Sequence, residues 1–382
     1  MEKILIDIQH DRRKIMSTHN QEKILVVRMD RIGDTLVTTP TIKALRKLFP
    51  YACIDFLARS FNQEVIQRNP YIDSLYILPK DLVGICSLLY SLRKRKYDAI
   101  LVMNACSKST SYMISLLGAK EIWGFADRRT RYCYSHIPEC IPPSCLLEKD
   151  ILYRYGNDIS HHVIVELLSL VEAFAKSRGK SLCDVIDDTY TTQDMLQMDF
   201  FLDDKSSLIH NKYPLQKKTR IALFIGNAKK KHTRWPIDNF IELSERLLQH
   251  NDIEVAVCVG KAEEQMLQNH TRSFPSECFF VGGSLSEAGA FLQTVDCFIT
   301  SSTSYMHVAG ALSIPTISLL GGYTYRVWRL LGEKGEHILS DSAGVDVRSI
   351  PLEEVYKAIC KRCSLEVIAT IENSDEKKLV TS

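Results

Sequence analysis

Four groups of residues in this sequence carry chemistry. The first is a lone carboxylate, Asp34, in the string Arg28-Met29-Asp30-Arg31-Ile32-Gly33-Asp34, directly after a short apolar run. A carboxylate at that point can take a proton from a hydroxyl nucleophile. The plainer reading is a helix-capping aspartate. The second group is Ser301-Ser302-Thr303-Ser304, with His307 four residues after Thr303. If a helix starts near Thr303, its free N–H groups and these hydroxyls form an anion site. His307 would share the face of Thr303, or sit in the core. The third group is a basic loop with Lys229, Lys230, Lys231, His232 and Arg234. The second and third groups together suit a diphosphate; the plainer reading is a capping cluster beside a solvated loop. Arg128, Arg129 and Arg131, close to Tyr132 and Tyr134, form the fourth. They either hold a phosphorylated or acidic acceptor or make a solvated basic turn. Gly282-Gly283 would let a flat base approach the backbone closely.

These residues need elements to position them. Ile24–Val27 is short, apolar and β-branched, which reads as a buried strand. A helical pattern follows, with Leu36, Ile42, Ala44, Leu45 and Leu48 on one side and Pro50 at its end. Thr39-Pro40 reads as an N-cap with proline at the first helical position. Strand and helix then alternate: strands at 52–57, 74–78, 98–103 and 121–124, helices at 62–68, 82–94 and 109–117. That spacing argues for a parallel, doubly wound sheet. A helix is expected over 161–176. Residues 177–218 are polar and acidic without clear rhythm and read as a connection. The alternation resumes with strands at 220–225, 254–259, 278–281, 297–300 and 316–320. The helices between and after them fall at 236–249, 261–270, 286–295 (capped by Ser286), 303–312 and 352–362. In open α/β sheets the carboxyl edge of the strands is where ligands bind. Asp34, the basic loop and the Ser301–Ser304 turn all fall on such edges.

Composition narrows the function classes. A chain of 382 residues is too long for one ordinary core, so two domains are expected. The chain reads as an N-terminal extension (1–22), a first doubly wound domain with its connector (23–205), a second doubly wound domain (206–350), and a C-terminal helix and tail (351–382); the resemblance given below makes the first the acceptor-binding and the second the donor-binding Rossmann-like domain. Net charge is only +2, which gives no global field for nucleic acid. There is no apolar run of 18 residues and no secretory signal pattern, so the protein is expected in the cytoplasm. Its twelve cysteines are scattered through apolar runs and read as small buried hydrophobes. Cys133, Cys140, Cys145 and His136 match no zinc spacing, and Cys360-x-x-Cys363 lacks two further cysteines at a fitting distance. No metal site and no cofactor are expected. The absence of Gly-x-Gly-x-x-Gly after the first strand, and of a phosphate-binding Gly-Lys-Ser/Thr motif, disfavours dehydrogenases and nucleotide triphosphatases.

Arg28–Pro40 resembles the opening motif of the ADP-heptose:lipopolysaccharide heptosyltransferases, glycosyltransferase family 9. Ile299–Leu312 resembles the donor-site signature of that family, and Thr233-Arg234-Trp235-Pro236 its basic-x-Trp-Pro motif. The three come in the order of the family, and the likeness spans Lys23 to Tyr356. The resemblance implies two Rossmann-like domains facing a cleft, the GT-B architecture. It also implies an inverting, metal-independent sugar transfer from an ADP-sugar to the lipopolysaccharide inner core or a lipid-linked acceptor. The alternatives are a protein or other glycan acceptor, or a nucleotide-sugar-binding relative without turnover. By the same likeness Asp34 is the general base. Lys229, Lys231, Thr233, Arg234, Gly283, Ser302, Thr303, Ser304 and His307 serve the donor. Arg31, Arg59, Arg128, Arg129 and Arg131 serve the acceptor. A lipid acceptor implies transient contact with the inner face of the cytoplasmic membrane. Two positions depart from the family. Ser302 stands where an aspartate expected to hold sugar hydroxyls is usual, and Thr233 where a basic residue is usual. The first leaves the donor sugar open.

Overall fold

The computed structural model describes residues 21–104, 106–204, 208–226 and 231–368. They form two parallel sheets with helices on both faces. The first holds β1 (Lys23–Val27), β2 (Cys53–Arg59), β3 (Ser74–Leu78), β4 (Ala99–Val102) and β5 (Glu121–Gly124), in the order β3-β2-β1-β4-β5. The second holds β6 (Thr219–Phe224), β7 (Ile253–Cys258), β8 (Phe279–Val281), β9 (Cys297–Ser301), β10 (Thr316–Leu320) and β11 (Gly335–Leu339), in the order β11-β10-β9-β6-β7-β8. Every pairing within them is parallel. The strand order reverses beside β1 in one sheet and beside β6 in the other. Such switch points open a crevice at the carboxyl ends of the strands.

The central strands are apolar on both faces because helices cover both. Ile24, Leu25, Val26 and Val27 are fully buried, the pattern of a parallel interior strand. Helices α1 (Ile32–Leu36) and α2 (Thr39–Leu48) follow β1. The expected cap is off by one residue: Thr38 is the N-cap and Pro40 the second helical residue. Ile42, Leu45 and Leu48 of α2 are buried, each contributing roughly 1.5–3 kcal/mol. Next come α3 (Gln63–Ile66), α4 (Leu82–Arg95), α5 (Lys108–Ser115) and α6 (Val163–Lys176). The second half adds α7 (Ile237–Leu247), α8 (Leu285–Leu292), α9 (Ser304–Ala311), α10 (Gly322–Trp328) and α11 (Leu352–Cys363). The cap of α8 is Ser284 rather than Ser286, because Ser284 and Glu287 close a reciprocal capping box.

The stretch after α6 is not a loose connection. Leu182, Tyr190, Met195, Leu196, Met198 and Phe200 are buried in the same core as α2. That core runs on into Met306, Val308, Leu330 and Leu331 of the second half. Sequence rhythm misses it because the segment is built of short turns rather than long periodic elements. The expected extension over 1–22 and the tail after 368 lie, but for Gln21 and Glu22, outside the described residues. No helix among the described residues is long and apolar enough to cross a membrane.

The second sheet rests on one buried cation. Arg220, on β6, is 1% exposed and ion-paired to Glu254 on β7. It also donates to Thr294 at 2.7 Å and to the carbonyls of Tyr213 and Pro214 at 3.1 and 2.9 Å. Arg220→Met would leave the Glu254 carboxylate without its cation, held by the Gln216 N–H alone, and would take a donor from two carbonyls. Urea denaturation is expected to show a loss of about 3–5 kcal/mol; a loss below about 1 kcal/mol would contradict this reading.

Candidate functional site

The site is assembled from the two switch points. Past β1 the chain turns into α1, and Arg28, at the end of the strand, folds back. Its guanidinium is 4% exposed. It donates to Asp30 at 2.7 Å, to Asp34 at 3.2 Å and to the Met103 carbonyl. A charge this buried must be paired, and here the pairing fixes the Asp34 carboxylate. The Thr38 hydroxyl donates to the Asp34 carbonyl at 2.9 Å. Buried Asn62 donates to Thr35 at 2.7 Å and accepts from the Arg59 backbone at 2.9 Å, tying α1 to the loop after β2. Burial raises the pKa of Asp30, with Arg28 opposing the shift.

In the second half, β9 ends at Ser301 and Thr303 caps α9, its hydroxyl accepting from the Met306 N–H at 3.4 Å. The Thr300 and Thr303 hydroxyls lie 3.1 Å apart. The first N–H groups of α9 have no intrahelical acceptor and form the partial positive end of the helix dipole. His307 is buried, and its Nδ1 has no hydrogen-bond partner among the described residues. Burial pulls its pKa down to about 4, against the opposing pull of the Asp34 charge. It is therefore neutral at pH 7. Its ring packs on Gly33: a Cβ there would come within 2.9 Å of His307 Cδ2. Glycine at 33 is what lets α1 and α9 meet.

Between them lies a cavity of about 780 Å³. Arg31 and Asp34 line it from the first half, and Thr233, Ser302, Thr303, Ser304 and His307 from the second. The cavity is thus bordered by the Asp34 carboxylate from the first half and by the N-terminus of α9 from the second. Sequence reasoning missed Phe61, Glu263, Tyr323 and Trp328 on its walls. No pattern marks them, since each reaches the cleft from a loop or helix end set by tertiary packing. It also missed Arg28, although a cation closing a buried strand is a signal that a partner must be near.

Other expected residues are placed elsewhere. Arg234 is directed to Met266 Sδ, and burial lowers its pKa. Lys231 sits on a short 3₁₀ turn, Lys231–Thr233, away from the cavity wall. Gly283 has φ +139° and abuts Glu287, so its glycine serves the turn into α8 rather than the cleft. Arg59, Arg128, Arg129 and Arg131 are exposed and do not line the cavity. Lys229 lies outside the described residues.

The defining pattern of glycosyltransferase family 9 (heptosyltransferase) matches residues 155–349, just over half of the chain. The chain belongs to that family. It is a glycosyltransferase. Among relatives of this family 9 chain is Lipopolysaccharide heptosyltransferase 3 of Escherichia coli (strain K12), 23% identical over 319 residues, covering 78% of this chain and 82% of the relative. The fold is similar to that of a family 9 glycosyl transferase from Veillonella parvula, with a TM-score of 0.68 at 17% identity, covering 89% of this chain and 97% of the other. It is also similar to E. coli heptosyltransferase WaaC with ADP-2-deoxy-2-fluoro heptose, with a TM-score of 0.63 at 15% identity and coverage of 89% and 99%. The family 9 fold is the expected GT-B arrangement of two Rossmann-like sheets.

Two more histidines lie near the contact between the halves, His162 buried and His337 half-buried. His162 caps α6 through Nδ1 and donates from Nε2 to the Arg329 carbonyl at 2.9 Å. Burial pulls it down to about 3 and pulls His337 down to about 4. All three values lie below the free imidazole value of 6.5. In the window from about 6.5 to 4 the unfolded chain therefore binds more protons than the folded one. Stability is complete above pH 6.5 and falls as pH drops through that window, by up to about 1.4 kcal/mol per pH unit for each histidine. Denaturation midpoints at pH 7 and pH 5 are expected to show this, and His307→Asn to flatten the dependence.

Proposed function

We propose that this glycosyltransferase moves heptose, or a related sugar, from an ADP-sugar to the lipopolysaccharide inner core by a single, metal-independent displacement. The observation that carries this reading is that Asp34 and the start of α9 border one cavity. Asp34 takes the proton of the acceptor hydroxyl as that oxygen forms its bond to the anomeric carbon. The bond from that carbon to the diphosphate breaks, and its electron pair leaves on the ADP. Attack comes from the face opposite the leaving group, so the configuration inverts. The α9 N-terminus, with Thr303 and Ser304, stabilises the growing negative charge of the diphosphate, as an oxyanion hole does. Lys231, on the turn that carries Thr233 to the cavity, adds positive potential. Arg28 holds the base in place, and Arg31, on the cavity wall, serves the acceptor. The names of the relatives support the donor and acceptor classes: one is a lipopolysaccharide heptosyltransferase, and another was solved with an ADP-linked fluoro heptose.

Asp34→Asn is expected to lower turnover about 10²–10⁴-fold. ADP should still raise the melting temperature of the variant. Full transfer by the variant would remove Asp34 from the role of base.

Ser302 is the residue on which sugar choice turns. A hydroxyl accepts and donates one hydrogen bond where a carboxylate would accept from two sugar hydroxyls. Ser302→Asp is expected to change the ranking of ADP-sugars in a competition assay. An unchanged ranking would count against this assignment.

A further inference from the structure

The outer face of the first sheet carries a second surface, well separated in character from the cleft. Helix α4 buries Leu92 against the sheet, yet Leu82, Cys86 and Tyr90 form an exposed stripe on its other side. They are spaced i, i+4, i+8, so they share one face. Val83 extends it. Leu82 and Val83 are 75% and 80% exposed, and Tyr90 is 62% exposed. The α5 segment repeats the pattern with Lys108, Tyr112 and Leu116, all exposed at the same spacing. The two helices are neighbours. Leu92 and Ile114 share one core, and Arg93 donates to the Leu116 carbonyl at 2.6 Å. The turn holding Tyr132, which is 88% exposed, adjoins α5 through the Ser111–Tyr134 hydroxyl pair.

This surface is also where the positive charge lies. Between Lys80 and Arg131 there are ten Lys and Arg against four Asp and Glu, a net +6 in a chain whose total is +2. Of the ten cations, Lys120 is paired with Asp98 at 2.7 Å and Arg95 with buried Asp55 at 2.8 Å, which leaves the others to the surface. Lys94 lies over the Tyr90 ring at 4.3 Å, a cation beside an aromatic tip. Interleaved lysines are depleted from the cores of protein–protein interfaces. Apolar tips ringed by Lys and Arg are what a bilayer with anionic headgroups selects.

We propose that the outer face of α4 and α5, with the Arg128–Tyr132 turn, is a docking surface for an anionic lipid bilayer. The proposal deepens the function reading above and rests on its lipid-anchored acceptor for its purpose. The parallel sheet puts the starts of α4 and α5, and the basic turn after β5, on the carboxyl edge of the strands. Asp34 stands on that same edge. A bilayer at this flank would present headgroup sugars to the cleft while the protein stays outside the hydrocarbon.

The test is cosedimentation of the full-length protein with vesicles of phosphatidylcholine alone, or mixed with phosphatidylglycerol. Binding is expected only to the mixed vesicles and is expected to weaken with salt. Leu82→Ser/Tyr90→Ser should weaken it about tenfold or more, since two apolar contacts are lost. Lys94→Gln/Lys108→Gln should weaken it and reduce its salt dependence. All four positions are exposed, so melting temperature and ADP binding should match the wild type, as should transfer to a lipid-free acceptor fragment. Equal binding to both vesicle types, no binding to either, or variants that bind like the wild type would overturn the proposal. So would a wild-type dimer that Leu82→Ser/Tyr90→Ser disperses. Vesicle binding needs no turnover, so an Asp34→Asn protein that docks like the wild type and still transfers at the full rate would sink the function reading alone.

Discussion

The contact of His307 with Gly33 is the constraint on which the site depends. Two sheets can each present a switch-point crevice and still do nothing together. Here α1 and α9 touch where residue 33 has no side chain, and that close approach brings a carboxylate and a helix N-terminus to the same cavity. The buried neutral histidine is suited to the place. A charged ring there would need a partner, and its Nδ1 has none among the described residues. The imidazole therefore acts as an apolar wall with one polar edge.

Around this contact the charges are arranged in order of burial. Arg28 is deepest and joins Asp30 and Asp34 to the sheet through the Met103 carbonyl. A guanidinium can do this because its fork serves several acceptors at once. Lysine at that position would reach one carboxylate at a time. The Asp34 carboxylate is thus held by the strand rather than by a flexible loop, which fixes its placement at the cavity.

Much of the fold was legible because parallel strands and their helices have clear periods. The β3, β5 and β10 boundaries agree with the sequence reading residue for residue. What was not legible depended on packing. The polar stretch after α6 hides Tyr190, Met195 and Phe200 among turns, and only the folded chain shows that they fill a core shared by both halves. β11 and α10 carry no strong pattern because their partners, not their own sequences, select them. In the site, Asp34 and the Ser302–Ser304 turn could be placed from strand edges alone. Arg234 and Gly283 could not. A basic side chain after a strand is free to turn inward, as Arg234 does toward Met266, and a glycine can serve a turn instead of a ligand.

Glu64 spans the two lobes: its carboxylate accepts from the Leu285 and Ser286 N–H groups at the head of α8, at 3.2 and 2.6 Å. The protein thereby spends one of its own anions on a helix dipole of the opposite lobe. Any hinge motion that widens the cleft has to part this pair, exchanging a charge-assisted contact for water. Opening the jaws thus carries an electrostatic cost that the shared apolar core alone would not impose.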